Sequence, residues 1–543
     1  MKNNDLYLFL LLAFTIASAN FAIAEEENEA DPAEISIGER LFLETRFAQA
    51  YYANPNKADP VMNKTITTNQ ALDNPFRGKT MNCRSCHMVD EHQDDPAAGM
   101  RSYSDYAMRP PVPERKDGAK TSERNSMSMV NISLPHQTQE HAVFHFDGEF
   151  NSMEDLVRAT FTGRNFGWLA GEDKLAIQHI ANIIRQDKGK DELAQEFGGA
   201  YSTVLKGTDK NIAAKFRLPE DYRIDVASAS DQKIFDAVAK LVSAYVTDLT
   251  FQLDDEGHYI GSPYDMFLKI NNLPRKPDEN ETDNAYSVRL LEAINQLDNP
   301  RFVTAGKNKF MTHQQDFVFS KEELNGMKIF FSKGNKNAPG GNCVSCHTAP
   351  HFSDFGFHNT GLAQHNYDAL HGTGEFNKIM IPDLITRNNN HNNFLPATSK
   401  HPAAISRFRT IAAKNKPGYT DLGLWNIFAN PDMPAPQEKI KTIMCAQAAS
   451  IKQDECSSSN LLNKTIAAFK TPVLRNLGHS NPYMHTGQFL DLQQTVRFYI
   501  TSSIQARNQQ LRNAEQNVKD ININEKNVAP LVAFLKSLNE DYD

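Results

Sequence analysis

The chain has 543 residues, 40% of them hydrophobic, and a formal net charge of −9. That length carries two or three domains with real cores. The acidic balance argues against nucleic acid as a partner, because phosphate backbones are held by an excess of Lys and Arg.

The first element in chain order is an export signal. Met1 and Lys2 precede the apolar run Leu6 to Ile16 and the small-residue site Ala22-Ile23-Ala24. Residues 1–24 are expected to be cleaved, leaving a mature chain that starts at Glu25 in the periplasm. An uncleaved anchor is the competing reading, but the run is short for a span and no second apolar stretch of spanning length follows. The acidic stretch Glu25 to Asp31 reads as a solvated leader.

Gly38-Glu39-Arg40-Leu41-Phe42 opens a helical unit, and an irregular insertion rich in Asn, Pro and Thr separates it from Cys83-Arg84-Ser85-Cys86-His87. The unit returns as Gly326-Met327-Lys328-Ile329-Phe330, followed after a short Gly/Asn/Lys loop by Cys343-Val344-Ser345-Cys346-His347. In Cys-x-x-Cys-His, two thiols three positions apart each add across one vinyl group of a haem, and the adjoining His coordinates its iron. The spacing therefore implies two covalently bound c-type haems, on Cys83 and Cys86 and on Cys343 and Cys346, with His87 and His347 as iron ligands. Zinc would want its two knuckles within a few tens of residues, and these lie 260 residues apart. A thioredoxin-like site would follow a strand and would not need the His.

Helical periodicity marks Met153 to Thr160, Lys174 to Arg185, Asp231 to Leu249, Ala285 to Leu297 and Ala529 to Leu538, whereas period-two alternation is rare. The Pro, Asp and Glu in Pro274 to Asp283 make that stretch the best candidate for an interdomain linker, with the hinge expected anywhere from about Asp254 to Asp283. The irregular region His351 to Gln437 is expected to pack around the second haem. Cys445 and Cys456 remain; in an oxidising compartment they either close a small loop worth about 2–3 kcal/mol or stay as two thiols.

Arg124-Asn125 and Phe146-Asp147-Gly148 follow the first haem motif. Thr471-Pro472-Val473-Leu474-Arg475-Asn476 and Pro482-Tyr483-Met484-His485-Thr486-Gly487 follow the second. Together they closely resemble the bacterial dihaem cytochrome c peroxidase superfamily, which includes MauG-type maturation enzymes and dihaem rubber oxygenases. The resemblance implies a mainly α fold of two cytochrome c-like helical domains with long irregular insertions, here 25–265 and 266–543. It implies peroxide chemistry at the first haem and electron entry at the second from a small cytochrome or copper protein, in a chain that forms a dimer. It also implies a calcium ion held by Asn125 and the carbonyls of Ser480 and Pro482. The family's distal ligand of the second haem, Met in typical peroxidases and Tyr in MauG-type proteins, falls on Tyr499; Met484 is the alternative. A phenolate stabilises ferric iron where a thioether favours ferrous iron, so Tyr at this position should lower the potential.

The departures from the family pattern fall on the distal side of the first haem. Phe166 stands at the place of the catalytic Glu, Leu156 at that of a distal Gln, and Phe146 at that of the interhaem Trp. Glu172 substitutes as the acid only if its loop folds back; otherwise it starts a helix. Trp168 is either an electron relay or core packing. His92 lies too near its motif to match the family's exchangeable sixth ligand, which predicts a five-coordinate first haem. His136, His141 and His145 cluster in sequence, and one of them can approach the pocket. Three readings stand: a peroxidase that reduces hydrogen peroxide, a MauG-like or rubber-oxygenase-like oxidase or oxygenase, and a non-catalytic electron-transfer dihaem cytochrome.

Overall fold

The computed structural model describes residues 31–57, 59, 80–87, 112, 121–306, 309–310, 313, 315–334, 339–447 and 456–540. The expected signal peptide, most of the insertion before Cys83 and His92 lie outside them. Within them the chain is mainly helical, and the named strands form one two-stranded pair. No helix among the described residues is long and apolar enough to cross a membrane.

The first half is built from α1 (Ala33–Phe42), α2 (Met153–Phe161), α3 (Asp173–Gln186) and α4 (Asp231–Asp248). Ser152 and Ser230 start α2 and α4 by accepting from the backbone N–H of Asp155 and Lys233, which satisfies donors that the first helical turn leaves free. α1 crosses α4 at Gly38, where an added Cβ would collide with the Leu241 carbonyl, and Phe42 meets Tyr245 edge-on at 5.2 Å. Arg40, one residue before Leu41, is completely buried, paired with Asp187 at 3.1 Å and lying over the Tyr201 ring. Ile37, Leu41, Phe161, Ile180, Val238 and Val242 belong to one core.

A second core begins with α5 (Pro263–Ile270), started by a reciprocal cap between Ser262 and Asp265, and continues through α6 (Asp283–Asn295) and α7 (Lys321–Phe331). Between them and the chain end lie α8 (Leu362–His371), α9 (Gln437–Gln447), α10 (Leu492–Arg507) and α11 (Val528–Lys536). α7 crosses α11 as α1 crosses α4: a Cβ on Gly326 would collide with the Pro530 carbonyl, and Phe330 packs on Phe534 at 5.1 Å. Within the expected hinge range of Asp254 to Asp283, the cores change near its start and not at Pro274 to Asp283. That stretch joins α5 to α6 inside the second half, and the change of core falls between Tyr259 and Tyr264. Its Pro and acidic residues mark a loop within a domain, which composition alone does not separate from a loop between domains.

The junction is fastened by Arg475. Its buried guanidinium pairs with Asp265 at 2.9 Å and Glu540 at 2.8 Å and lies 3.8 Å over the Tyr259 ring, so it touches both cores. The region 351–440 builds a third core around Trp425, Phe408, Leu424 and Ile440, with Val143 of the first half inside it. Its strands β1 (Phe357–His358) and β2 (Phe469–Lys470) pair antiparallel, Phe357 opposite Lys470. Arg387 is buried against Trp425 and gives its N–H groups to the carbonyls of Trp425 and Phe428. Cys445 and Cys456 form a disulfide at the end of α9.

Gly326→Ala is expected to lower unfolding stability by about 1–3 kcal/mol, because the inserted methyl meets backbone and not a movable side chain; denaturant titration against the parent measures it. Glu39, half-buried on α1, has its pKa raised to about 7 by burial and by the nearby Asp31 and Glu196. A carboxyl with a raised folded pKa binds protons that the unfolded chain has released, so stability falls as pH rises from about 4.5 through 7. Glu39→Gln should therefore be more stable than the parent at pH 8, by of order 1 kcal/mol, and lose that advantage at pH 4; melts at the two pH values test it.

Candidate functional site

Each Cys-x-x-Cys-His motif folds as a short 3₁₀ turn, Cys83–Ser85 and Cys343–Ser345. In both, the His N–H bonds back to the first Cys carbonyl at 2.9 Å, which brings the first thiol and the imidazole round to one side. Asn82 caps the first turn by accepting from the Ser85 N–H at 2.9 Å. Asn342 enters the second at φ +48°, a conformation Asn tolerates.

All four motif thiols are free of disulfides. Burial pushes the pKa of Cys83 up and raises Cys86 and Cys343 to about 12. Both imidazoles are held by a backbone carbonyl: Nδ1 of His87 lies 2.9 Å from Met127 O and Nδ1 of His347 lies 3.0 Å from Phe352 O. Burial lowers each to about 4, so both are neutral, Nδ1–H donates, and the Nε2 lone pair is left for a metal.

His347, Cys343 and Cys346 line an apolar-walled cavity of about 270 Å³, bounded by Tyr499 of α10 and by Met484. Residues from both halves close it, including Met127 and Phe146 from the first and Leu531 and Leu535 of α11 from the second. The Tyr499 phenol is held well above the usual tyrosine range, first by burial and then by the Cys346 and Cys343 thiols, which places it in electrostatic reach of both. Two thiols, a neutral His with a free nitrogen and an apolar chamber are the donor set and cradle that a c-type haem requires. His358 projects into the same chamber, held by Asp354 at 2.7 Å.

Asn125 sits at the seam between the halves. Its backbone N–H donates to His485 O at 2.8 Å, and its side-chain nitrogen lies 2.6 Å from Pro482 O and 3.5 Å from Met484 O. Its Oδ1 is buried without a partner. Turned over, the amide would direct that oxygen at the same carbonyls, an arrangement that needs a cation between them. Ser480 lines the adjoining cavity wall.

Around the first motif, Phe166 is buried and packs edge-on against Phe161 at 5.0 Å. Trp168 is buried between Tyr52 and His179, at 5.6 and 5.9 Å. Glu172 closes the turn before α3, its carboxylate accepting from the Leu169 N–H at 2.9 Å. His136 is buried, with its Nδ1 2.8 Å from the Thr138 hydroxyl, and burial lowers its pKa.

His145 stands apart from the other two histidines of its cluster. It holds φ +68° at the tip of a hairpin in which Phe144 bridges Phe150, packs edge-on to Phe150 at 4.9 Å, and exerts a charge effect on His87. Its Nδ1 lies 3.1 Å from Glu149, which Arg409 grips with both terminal nitrogens, at 3.1 and 2.5 Å. Arg409 also approaches Asp147 at 3.3 Å, and Asp147 is shared with Arg124, which binds Asp421 through two nitrogens. These pairings keep the Glu149 carboxylate far below its ordinary pKa despite burial. The partner Arg409 is 260 residues from Glu149 in sequence, so nothing local to His145 distinguishes it from His136 or His141 in the sequence.

No family model matches the chain. Two curated relatives, both named cytochrome-c peroxidase IdrP2, come from Denitromonas iodatirespirans and Pseudomonas sp. (strain SCT). They are 26% identical over 188 and 182 residues, which is 34% of this chain and 32% of each relative. The chain thus spans about a third of the length of the curated relatives it matches. Among solved structures, the diheme peroxidase BthA from Burkholderia thailandensis aligns at 17% identity and TM-score 0.42, over 94% of this chain and 86% of that one. A MauG-like protein associated with microbial copper homeostasis aligns at 14% and 0.44, over 94% and 91%. In the curated matches, over about a third of its length, the chain is similar to proteins named cytochrome-c peroxidase.

Proposed function

We propose that this chain is a periplasmic dihaem c-type peroxidase, reducing hydrogen peroxide to two waters with two protons and two electrons drawn from a small cytochrome or copper protein. The observation that carries the reading is the pair of Cys-x-x-Cys-His turns, each with its imidazole pinned through Nδ1 to a backbone carbonyl. When bound at His87, a haem would supply the iron at which the O–O bond is cleaved. His347 with Cys343 and Cys346 would hold the haem that takes up electrons, and Tyr499 of α10, whose phenol shares that chamber, would supply a further oxygen ligand to its iron. Asn125 with the carbonyls of Ser480 and Pro482 holds a calcium ion at the seam; the unpartnered Asn125 oxygen supports this.

Proton handling falls to His145. Glu149, locked as an anion by Arg409, accepts the Nδ1–H and leaves Nε2 to take a proton from one peroxide oxygen and return it to the other. Glu172 is engaged with its own turn, and Phe166 supplies an apolar wall.

The test is peroxide turnover by the dihaem protein with a reduced small cytochrome as donor. Turnover is expected, and His145→Leu should lower it by a factor of about 10² to 10⁴ while leaving haem content and the second haem's spectrum unchanged. Consumption of O₂ without peroxide turnover would instead favour the oxygenase reading, and two low-spin haems that bind no added ligand would leave an electron carrier. Retained turnover in His145→Leu with loss in Glu172→Gln would transfer the proton role to Glu172.

Tyr499→Met is expected to change the low-spin ferric spectrum of the second haem and to raise its reduction potential, since a thioether replaces a phenolate. An unaltered spectrum would remove Tyr499 from the iron.

A further inference from the structure

The third core contains a group of donors that the proposed peroxidase chemistry does not use. His391, His401 and Asp432 each bring a ligand atom within 4.8 Å of the other two. Nδ1 of His401 lies 2.7 Å from the Asp432 carboxylate, and Nε2 of His391 lies 3.6 Å from the same oxygen. The Thr398 hydroxyl is 2.5 Å from it. The two imidazole rings stack at 4.0 Å and 13°. The side chains of His391 and Asp432 are 3% and 5% exposed, whereas that of His401 is 38% exposed.

Two features set this group apart from an ordinary Asp–His hydrogen bond. One carboxylate oxygen gathers three polar partners. The buried His391 ring has its Nε2 taken up by Pro396 O at 2.9 Å and its Nδ1 without any partner, and an empty buried nitrogen carries a desolvation cost that a cation can offset. The backbone is already fixed to present the group. Thr398 and His401 exchange backbone hydrogen bonds, and Asn430 caps the Asp432 N–H at 3.0 Å. The other three-donor cluster, His145 with Asp147 and Glu149, is filled by the cations of Arg124 and Arg409. Here, among the described residues, the Lys or Arg paired with Asp432 is Lys400, 3.9 Å away on a side chain 66% exposed that can swing aside.

We infer that His391, His401 and Asp432 form a second metal site, for a divalent transition ion of the zinc class, completed by the Thr398 hydroxyl or a water. Two imidazole nitrogens and one carboxylate oxygen with an open fourth position suit four-coordinate zinc. Closing on an ion requires the stacked rings to slide until their nitrogens converge, a motion that the solvent-facing His401 can supply. The ion joins the Thr398–His401 turn to the Asn430–Asp432 turn. The strand of chain leaving His401 reaches Arg409, which grips Glu149 beside the first haem motif. The metal thereby stiffens the segment that delivers Arg409.

The haem-loaded protein, stripped with a chelator and then kept in excess calcium so that the seam site stays filled, is titrated with Zn²⁺ by calorimetry. One zinc per chain is expected. His401→Ala and Asp432→Asn should each weaken it at least about tenfold, with haem spectra and melting temperature matching the parent to show that the fold is intact. A parent that binds no zinc saturably, or binding that fails to weaken in either variant, overturns the site. Neither result bears on peroxide turnover, so the inference and the proposed function fail separately.

Discussion

Each half of this molecule depends on one place where two helices touch backbone to backbone. At Gly38 on Leu241, and again at Gly326 on Pro530, the side chain is absent because there is no volume for it. A contact of that kind sets the distance and angle of a helix pair more tightly than interdigitating side chains, which can repack. Phe42 and Phe330, four residues on in each motif, then close the crossing from the side. The Cys-x-x-Cys-His turns are fixed against these frames. Gly341, just before the second turn, bonds to Ile329 of α7, and the first turn is tied to the end of α1 through Asn82 on Leu43 O.

Fastening the halves to each other is done with buried charge. Arg475 at the junction and the Arg124, Asp147, Asp421, Arg409 and Glu149 chain at the insertion are ion clusters with almost no solvent. Desolvating so many charges costs most of what their attraction returns, so such clusters are weak sources of net stability. Their partners are few and directional, however, and any other docking of the insertion would leave an Arg or a carboxylate buried and unpaired at several kcal/mol. The clusters thus specify one seating of the third core on the first half, and that seating puts Arg409 on Glu149, the i+4 neighbour of His145.

What could be read from the sequence follows from how local each signal is. The motifs, the repeated Gly-x-x-apolar-Phe pattern and the long amphipathic helices are contained within one or two turns of chain, and α2, α3, α4, α6 and α11 stand where the apolar periodicity placed them. The third core had no such signature. It is assembled from short turns whose apolar residues, Phe408, Leu424, Trp425 and Ile440, share no period. The His391 group escaped for a related reason, because Asp432 comes from chain distant in sequence; His145 was one of three candidate histidines, and the Arg409 that grips its neighbour Glu149 is likewise distant. A linker was expected at Pro274 to Asp283 because Pro and acidic residues report solvent exposure, a property shared by loops within a domain and between domains.

The two haem sites proposed here then differ in what surrounds the open nitrogen of an otherwise identical turn. At His347 the chamber is lined by packed residues from both halves, and its potential ligand is a phenol whose proton burial holds tightly. Such a site suits a metal that changes oxidation state without exchanging ligands, since only a metal ion can hold the phenolate in so poorly solvated a place. At His87 the neighbouring polar group is an imidazole backed by a carboxylate that Arg409 keeps ionised. That arrangement moves protons without leaving an uncompensated charge, because the anion behind His145 is present before the proton arrives. In the proposed peroxidase the scaffold gives electron transfer to the His347 side and proton transfer to the His87 side, and the region that carries Arg409 is what makes the sides unequal.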